Sequence, residues 1–351
     1  MLTTKQVNEI KEHLAKAQNP IFFYDNDLDG LCSFIILQKF IGIGKGVAIK
    51  SFPDLNAKYF QKVEEFNADY IFILDKPVIS KGFWDEVEKS NIPVVWLDHH
   101  DIEGNVENLP EFVNYYNPTL NPEKSSEPTT ALAYQIANKK EDLWIAVMGC
   151  ISDKYVPIFY SDFIEKYPDL GVKSEDAFDI LYKSQIGKIA KILTFSLKDT
   201  TTNVVRMQKF LIEAKTPYEI FEENKKNYTI HRRFEFVNQK YQKIFNKAEE
   251  LIDKKEKLLF FQYGGDLGIS SDLSNELSYN YPDKIIAVIY ISGGKANISM
   301  RGKNAKKILL KAIKNLESAR GGGHEDAVGG QIRIEDIEIF RSSLELLTHS
   351  N

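Results

Sequence analysis

The sequence contains only two cysteines, Cys32 and Cys150, among 351 residues. Two cysteines are too few for a disulfide scaffold, and these two lack the paired spacing of a zinc site. No stretch reaches the ~18 consecutive apolar residues of a membrane-spanning helix. The amino-terminal segment has the pattern of an amphipathic helix and lacks the apolar core of a secretion signal. These absences predict a folded protein of a reducing, cytoplasmic compartment that has no membrane partner.

The sequence also lacks an excess of positive charge, since 45 basic and 50 acidic side chains give a net charge of −5. A global attraction to nucleic acid is therefore excluded, and recognition of phosphate requires local basic residues or bound cations. Apolar residues make up 43% of the chain and charged residues 27%, a balance that is ordinary for globular proteins. We expect two domains, because a single core seldom extends beyond roughly 250–300 residues.

Short apolar runs alternate with helical patterns through the first half of the chain. The runs at 21–24, 70–74 and 93–97 are typical of buried strands, and the segments 29–41 and 81–90 are typical of helices. This alternation predicts an α/β domain that is built on a parallel sheet.

The second half begins with helical patterns and then returns to strands. Strands are predicted at 257–263, 284–291 and 295–301, with the last two joined as a hairpin through Ser-Gly-Gly. We therefore expect an α/β protein of three parts. These are an N-terminal parallel-sheet domain at 1–190, a helical connector at 191–256 and a smaller C-terminal α/β domain at 257–351.

Each predicted strand of the first domain is followed by an acid, namely Asp25, Asp75 and Asp98. Ligands of open parallel sheets bind beyond the carboxyl ends of the strands, so the three acids should share one edge of the sheet. An acid in this position also caps a following helix. That alternative explains one such position more easily than three.

Further acids and a pair of histidines accompany these three. Several carboxylates at one edge would raise one another's pKa unless a cation neutralised them. Carboxylates with one or two imidazoles suit Mn²⁺ or Mg²⁺ better than metals that prefer thiolates. A pair of such ions activates water and stabilises an in-line displacement at phosphorus, which indicates hydrolysis of a phosphoester. The full set is Asp25, Asp27, Asp75, Asp98, His99, His100 and Asp153.

Two motifs within this set differ in specificity. The segment Asp-Asn-Asp-Leu-Asp-Gly at 25–30 also resembles the start of a calcium-binding loop, but Ile36 occupies the position where that loop requires glutamate. The calcium interpretation is therefore excluded. The segment Leu-Asp-His-His-Asp at 97–101 is the most specific fragment, because adjacent histidines behind an aspartate at a strand end are rare by chance.

A glycine-rich segment, Arg-Gly-Gly-Gly-His, lies at 320–324. Its three glycines allow the backbone to approach a ligand and to offer N–H groups to an anion, and the histidine adds a donor. These features predict a phosphate-binding site, and a flexible turn before the strand at 331 is the alternative. The predicted substrate-binding residues are Arg301, Gly321, Gly322, Gly323 and His324.

The order and spacing of these motifs resemble those of the DHH phosphoesterase superfamily. The segment 25–30, Asp75, the Asp-His-His segment and Asp153 are similar to its four motifs, and Gly-Gly-Gly-His is similar to that of its DHHA1 partner domain. The resemblance extends over nearly the whole chain. The pairing of the first domain with a Gly-Gly-Gly-His domain resembles the RecJ-type exonuclease and oligoribonuclease branch. It implies a catalytic DHH domain at 1–190 and a substrate-binding DHHA1 domain at 257–351.

The resemblance implies two bound ions, Mn²⁺ or Mg²⁺. Asp25 and Asp27 would bind different ions, and Asp75 would bridge them. His99 and Asp153 would complete the shell of one ion. Many relatives carry a histidine shortly before the first aspartate, whereas none precedes Asp25 in this strand. Asp25 would then supply an oxygen in place of that nitrogen, which favours hard ions.

The resemblance also implies roles for the remaining residues. Asp98 and His100 would be the catalytic pair that orients ligands or contacts the scissile phosphate. Asp29 would hold the metal ligands in position without binding a metal ion itself. Arg301 and His324 would grip the phosphate of the substrate.

We therefore expect a metal-dependent phosphodiesterase that removes nucleotides from the end of short single-stranded RNA or DNA. Short strands are expected because no further nucleic-acid-binding module follows the second domain. Local positive charge supports this expectation, although a solvated helix face explains the lysines equally well. The basic residues that cluster in the second domain include Arg301, Lys303, Lys306, Lys307, Lys311 and Arg320.

Two other functions compete with this one. A nucleotide phosphatase of the 3′-phosphoadenosine 5′-phosphate type, or a cyclic-dinucleotide phosphodiesterase, is the enzymatic alternative. A non-catalytic nucleic-acid-binding partner is the alternative of another class, and such a protein should have lost metal ligands that are present here. The sequence is compatible with an oligomeric assembly.

Overall fold

The computed structural model describes residues 1–51, 54–101 and 109–349. The chain divides into two units, Met1–Phe234 and Glu235–Asn351. This boundary falls within a helix, and the three-part division at 190 and 256 stays a prediction. Within the described ranges, no helix combines the length and the apolarity that are needed to cross a bilayer.

In its described part, the first unit contains a parallel sheet of five strands. Their order is β2-β1-β3-β4-β5, and each neighbouring pair is parallel. The order reverses between β1 and β3, at the switch point where doubly wound sheets bind ligands. The predicted parallel sheet is confirmed, and β2 and β5 were not predicted. The strands are β1 (Pro20–Asp25), β2 (Lys45–Ile49), β3 (Tyr70–Leu74), β4 (Val94–Leu97) and β5 (Val113–Tyr116).

Helices connect and cover these strands. They are α1 (Thr4–Lys16), α2 (Leu28–Ile41), α3 (Phe60–Glu65), α4 (Lys81–Ser90), α5 (Thr129–Ala137), α6 (Leu143–Ser152), α7 (Tyr160–Lys166), α8 (Ala177–Lys183), α9 (Gln185–Ser196), α10 (Thr201–Glu213), α11 (Tyr218–Phe221) and α12 (Tyr228–Glu249). Helix α12 contains the boundary between the two units.

Side chains along β1 alternate between two apolar cores. Phe22 and Tyr24 face a core that includes residues of α1, α2, α5 and α6, whereas Ile21 and Phe23 face a core with residues of α3 and α4. Because both faces of the sheet are covered, its central strands are continuous apolar runs. Polar side chains are therefore confined to the strand ends, where the acids occur.

The second unit contains a mixed sheet, whose described strands follow the order β6-β7-β8-β10-β9. The β6–β7 pair is parallel, and the other neighbouring pairs are antiparallel. The predicted smaller α/β domain is confirmed. Its elements are β6 (Leu258–Gly264), α13 (Ser270–Asn280), β7 (Ile285–Ser292), β8 (Lys295–Arg301), α14 (Ala305–Ile313), β9 (Arg320–His324), β10 (Ala327–Arg333) and α15 (Ile337–His349).

The two faces of this second sheet have different neighbours. Ile289, Ile298 and Val328 point to one face and share a core with residues of α14 and α15. On the opposite face, α13 contacts β7 and β8, and a hydrogen bond of 2.9 Å joins the hydroxyl of Ser270 in α13 to that of Ser299 in β8. We call this second side the α13 face. It carries the side chains of alternate residues along β8, β9 and β10.

Candidate functional site

The predicted acids of the first unit lie where its strands end. Asp25 is the last residue of β1, Asp75 follows β3, and Asp98 follows β4. Asp27 caps the start of α2, and Asp29 lies in its first turn. Because β1, β3 and β4 are neighbours in the sheet, their carboxyl ends bring these acids to one edge.

His99 lies at the centre of the cluster. Its Nε2 atom is 3.4 Å from Asp75 Oδ1, 3.5 Å from Asp153 Oδ2 and 3.9 Å from Asp29 Oδ2. His99, Asp75 and Asp29 are each 2% exposed. Carboxylates from separate segments therefore converge on one buried imidazole.

Two groups of ligand atoms have a spacing that suits a metal ion. Atoms of Asp29, His99 and Asp153 lie within 4.8 Å of one another, and so do atoms of Asp75, His99 and His100. Carboxylate oxygens combined with imidazole nitrogens suit Mn²⁺ or Mg²⁺. The donor set therefore fits a hard divalent cation, and His99 belongs to both groups.

Asp153 reaches the cluster because α6 packs closely against α5. Asp153 directly follows α6. A Cβ atom added at Gly149 of α6 would lie 2.2 Å from the hydroxyl oxygen of Thr130 in α5. Glycine is thus required at this contact, and it sets the position at which α6 delivers Asp153.

Asp75 has an uncommon backbone conformation. Its φ angle is +57°, in the left-handed region that residues other than glycine seldom adopt. The backbone N–H of Asp75 donates to Leu97 O at 3.0 Å, and the Thr129 hydroxyl donates to its carboxylate at 3.3 Å. Strained residues of this kind concentrate at functional sites, where the surrounding contacts hold them.

Asp29 joins the cluster to the start of α5. Its two carboxylate oxygens accept hydrogen bonds from the backbone N–H groups of Thr129 at 2.9 Å and Thr130 at 2.8 Å. A carboxylate is stabilised at this end of a helix, where N–H groups lack partners within the helix. The sequence predicted a supporting role for Asp29, and its Oδ2 also lies within reach of a metal that His99 would bind.

Asp25 forms an ion pair that the sequence analysis did not predict. Its carboxylate lies 3.0 Å from the ammonium group of Lys76, which is 2% exposed. The only local signal was that a lysine directly follows Asp75. The predicted role of Asp25 as a metal ligand stays a prediction, and its charge is already compensated within the protein.

Asp98 and His100 form the expected pair. His100 Nδ1 lies 2.9 Å from Asp98 Oδ1, and Asp98 is fully buried. The second carboxylate oxygen of Asp98 is also buried and has no hydrogen-bond partner among the described residues. This pairing fixes the orientation of the His100 ring, while the catalytic roles of both residues stay predictions.

Burial and the charge of neighbouring carboxylates raise the pKa of Asp27, Asp29 and Asp153, and the sequence analysis expected the second of these causes. Loss of hydration, followed by the charge of Asp75, raises the pKa of Asp27 and of Asp29 well above the ordinary value. Loss of hydration also raises the pKa of Asp153, with the charge of His99 opposing it. Such a group of acids is unfavourable unless a cation compensates it.

The pKa values of Asp75 and of the two histidines shift in the direction that favours their charged forms. Burial acts to raise the pKa of Asp75, but the hydrogen bond and charge of His99 outweigh it and lower the pKa to about 2. Burial acts to lower the pKa of His100, but Asp98 outweighs it and raises the pKa to about 9. The pKa of His99 is raised well above its ordinary value, because Asp75 and Asp153 outweigh its burial.

In the second unit, the glycine-rich segment forms strand β9 at the edge of the sheet. Gly321 allows α14 to approach, since a Cβ atom there would lie 2.8 Å from a methyl group of Leu309. Gly323 has a φ angle of +131°, which favours glycine. Gly322 faces open space. The alternative of a flexible turn at 320–324 is wrong, because these residues pair with β10.

Arg301 is held in place by contacts within the second unit. Its guanidinium group donates to Asn275 Oδ1 at 2.5 Å, to Ser271 Oγ at 3.0 Å and to Val328 O at 3.2 Å. Arg301 pairs with Ala327 in the sheet, and Ala327 pairs with His324. Arg301 and His324 therefore share the α13 face, and their role in binding phosphate stays a prediction.

Two family profiles match the chain. The DHH family, N-terminal domain, matches residues 21–156, and the DHHA1 domain matches residues 255–349. No curated protein matched the sequence.

Several solved structures have a similar fold. RecJ from Thermus thermophilus in complex with Mn²⁺ has a TM-score of 0.73 and 15% identity, over 99% of this chain and 54% of that chain. An exonuclease RecJ bound to manganese has a TM-score of 0.63 and 15% identity, over 98% and 94% of the two chains. The pGpG-specific phosphodiesterase PggH from Vibrio cholerae has a TM-score of 0.51 and 13% identity, over 95% and 99%. At these identities the likeness concerns the fold alone, and this chain spans about half the length of the Thermus protein.

Proposed function

We propose that this chain, which contains a DHH family N-terminal domain and a DHHA1 domain, is a metal-dependent phosphodiesterase of short single-stranded nucleic acid. The family resemblance that the motifs indicated is confirmed. The fold is that of a DHH-family phosphoesterase, similar to RecJ exonuclease and to a pGpG phosphodiesterase. The reaction we propose is removal of nucleotides from one end of the strand.

One observation carries this proposal, namely the convergence of metal-binding side chains at the switch point of the first sheet. Asp29, Asp75 and Asp153 surround His99 within 4 Å of its Nε2 atom. Burial of several like charges costs free energy that an apolar core would avoid. A cation-binding function explains why the chain places them together.

The contacts favour a changed assignment of two ligands. Asp25 is compensated by Lys76, whereas Asp29 lies beside His99 and Asp153. We therefore assign Asp29 to the ion that His99 and Asp153 would hold, and Asp25 to the support of the site. When bound, two divalent ions supply an activated water and stabilise charge at phosphorus.

In the first unit, a side chain next to the proposed metal ligands would orient the substrate. Asp98 fixes the His100 ring through Nδ1, so that its other nitrogen can donate to a phosphate oxygen. In the second unit, Arg301 is fixed by Asn275 and Ser271 and offers a further positive group. Groups that are held in place before the substrate arrives reduce the entropic cost of binding.

Hydrolysis of a dinucleotide is a second candidate function. The fold of the pGpG-specific phosphodiesterase matches 95% of this chain and 99% of its own, and this likeness supports the candidate. The non-catalytic alternative is disfavoured, because the side chains that would hold the metals are present and converge. A nucleoside bisphosphate requires a binding site for one nucleotide only. Its turnover therefore distinguishes the phosphatase alternative from the two functions that act on longer substrates.

The proposal is tested with short RNA and DNA strands that carry a label at the 5′ or the 3′ end. We expect stepwise shortening in the presence of Mn²⁺ and none after chelation. Asp75→Asn should lower kcat/KM by about 10³-fold, because it removes a charge next to His99, which belongs to both groups of metal ligands. Asparagine tolerates the left-handed conformation at this position, so the variant should fold.

Asp85→Asn is the matched control, since it makes the same change on the exposed surface of α4. It should retain full activity. Fastest turnover of adenosine 3′,5′-bisphosphate would replace the exonuclease proposal by the phosphatase alternative. Full Mn²⁺-dependent activity of Asp75→Asn would contradict the assignment of the metal centre.

A further inference from the structure

A row of polar side chains crosses the α13 face of the second sheet. Sheet register places Tyr290 of β7 opposite Asn297 of β8, and Gln331 of β10 opposite both Asn297 and Arg320 of β9. Side chains at paired positions lie on the same face of a sheet. These four residues therefore form one line that ends at the exposed edge strand.

Hydrogen bonds connect this row in one direction. Asn297 Nδ2 donates to Tyr290 O at 3.3 Å, Gln331 Nε2 donates to Asn297 Oδ1 at 2.9 Å, and Arg320 Nη2 donates to Gln331 Oε1 at 3.0 Å. The orientation of each amide is thus set by its neighbour. The relay holds the guanidinium group of Arg320, which keeps further N–H donors for a ligand.

The inner end of the row is closed by packing. The ring of Tyr290 stacks on that of Tyr263, with centroids 5.1 Å apart, and its hydroxyl donates to Gly265 O at 3.0 Å. The open part of the row therefore consists of Asn297, Gln331 and Arg320. A ligand on this face meets the exposed end, where Arg320 is located.

Next to the open part of the row, the sheet has no side chains to fill its surface. Gly322 pairs with Gly329, and both belong to the α13 face. A Cβ atom added at Gly322 would have no heavy atom within 4 Å, and one added at Gly329 would meet only Ile298 O at 3.8 Å. We call this strip, with Arg320, Gln331 and His324 around it, the glycine trough.

The two ends of the glycine trough carry donors. Arg320 and His324 lie on the same face and four residues apart along β9, a separation of ~13 Å at ~3.3 Å per residue. Arg301 lies across from His324 on this face. One phosphate group cannot contact both ends of a trough of this length. A ligand that uses both ends carries at least two phosphates.

The surrounding charges favour an anionic ligand over a peptide. Arg320 is bound to the neutral amide of Gln331, whereas the nearby Arg333 is paired with Asp336 at 2.9 Å. Asp326, in the turn after β9, accepts a hydrogen bond from the backbone of Asn304. A peptide that added to the edge of β9 would use backbone groups and would have no need of Arg320.

We propose that the glycine trough holds the sugar–phosphate backbone of a single strand, with Arg320 contacting a phosphate two nucleotides away from the one at Arg301 and His324. This inference rests on the proposed function and specifies its substrate as an oligonucleotide longer than a dinucleotide. Asn297 and Gln331 are positioning residues, because they act through Arg320.

The test compares binding of labelled dinucleotide, trinucleotide and pentanucleotide in a chelating buffer, and their hydrolysis with Mn²⁺. Arg320→Gln should weaken binding of the two longer strands about tenfold, and leave the dinucleotide unchanged. The slope of log K against log salt should fall by about 0.7 for the longer strands, as expected for one lost phosphate contact. Gln331→Met should raise KM for the longer strands and leave kcat unchanged, because it releases Arg320 without removing its charge.

Arg341→Gln is the matched control, since it removes the same charge from α15, a helix that packs on the opposite face. Its binding should equal that of the wild type at every length. If Arg320→Gln weakened binding equally at every strand length, or did not weaken it at all, the proposed role of the glycine trough would be overturned. The proposed function would stand as long as the wild type hydrolysed short strands. Absence of hydrolysis and binding in the wild type for every strand would instead overturn the proposed function.

Discussion

At the scale of single residues, Lys76 explains how the first unit tolerates so many acids. Its ammonium group is 3.0 Å from Asp25 and 3.4 Å from the backbone oxygen of Ser51. Its own carbonyl oxygen accepts a hydrogen bond from the Trp96 indole at 2.9 Å. Lys76 thus supplies a fixed positive charge next to the cluster and connects the ends of β3 and β4.

Lys76→Met should destabilise the first unit by about 2–4 kcal/mol, because it leaves the charge of Asp25 without its buried partner. The double variant Lys76→Met with Asp25→Asn should recover much of this loss. Urea unfolding measured by tryptophan fluorescence checks both, since all three tryptophans lie in the first unit.

Additive losses in the double variant would contradict a direct pairing of Lys76 with Asp25. Lys89→Met is a control for the loss of a lysine, since Lys89 pairs with Glu86 on the exposed surface of α4. Solvent screens the attraction within this exposed pair. Its removal should leave the unfolding midpoint nearly unchanged.

The residue-scale contacts differ in how far the sequence could predict them. Asp75, Asp98 and His99 were found because each interrupts an apolar pattern at a strand end. Lys76 and Thr129 could not be found in the same way, since their partners Asp25 and Asp29 are 51 and 100 positions away. No local sequence pattern indicates a contact between residues that are so far apart along the chain.

At the scale of elements, the approach of α2 to β1 determines where Asp25, Asp27 and Asp29 lie. Gly30 permits this approach, because a Cβ atom there would be 2.4 Å from Asp25 O and 2.9 Å from Asp25 N. Those neighbours are backbone atoms and cannot rotate away. The helix would have to move away from the strand to accommodate any other residue.

Gly30→Ala should therefore destabilise the first unit by about 2–3 kcal/mol and weaken Mn²⁺ binding at least tenfold. Urea unfolding and titration calorimetry with Mn²⁺ measure the two effects. Gly82→Ala is the control, because its Cβ would lie 3.4 Å from the nearest atom. It should be neutral or stabilise α4 by up to about 1 kcal/mol. Unchanged Mn²⁺ affinity in Gly30→Ala would contradict a role of the close approach in the metal centre.

Strand β9 shows why some elements were missed. Three consecutive glycines have a low intrinsic preference for strands, so the local sequence contains no indication of one. In the structure Gly321, Gly322 and Gly323 pair with residues of β10. The hydrogen bonds of that ladder stabilise the strand despite its composition. The buried strands β1 and β3 were predicted because their apolar runs alone indicate them.

At the scale of the whole molecule, the cluster of carboxylates and histidines around His99 couples stability to pH. A histidine whose pKa is raised contributes stability fully below its ordinary value of about 6.5, and this contribution is lost as the pH rises through the folded value. For His100 that value is about 9. The raised pKa of Asp29 acts in the same direction, because the folded state binds more protons. The contribution of Asp75 is lost only below about pH 4, since its pKa is lowered to about 2.

The metal-free protein should therefore lose about 1–3 kcal/mol of stability between about pH 6.5 and about pH 9. Saturating Mg²⁺ should reduce or reverse this loss, because metal binding requires deprotonated ligands and strengthens as the pH rises. Urea unfolding followed by tryptophan fluorescence, with chelator and with Mg²⁺, measures both profiles. His100→Gln should flatten the metal-free profile, whereas His13→Gln should not, since burial lowers the pKa of His13. A metal-free profile that stayed level over this range would contradict the charge arrangement described for the cluster.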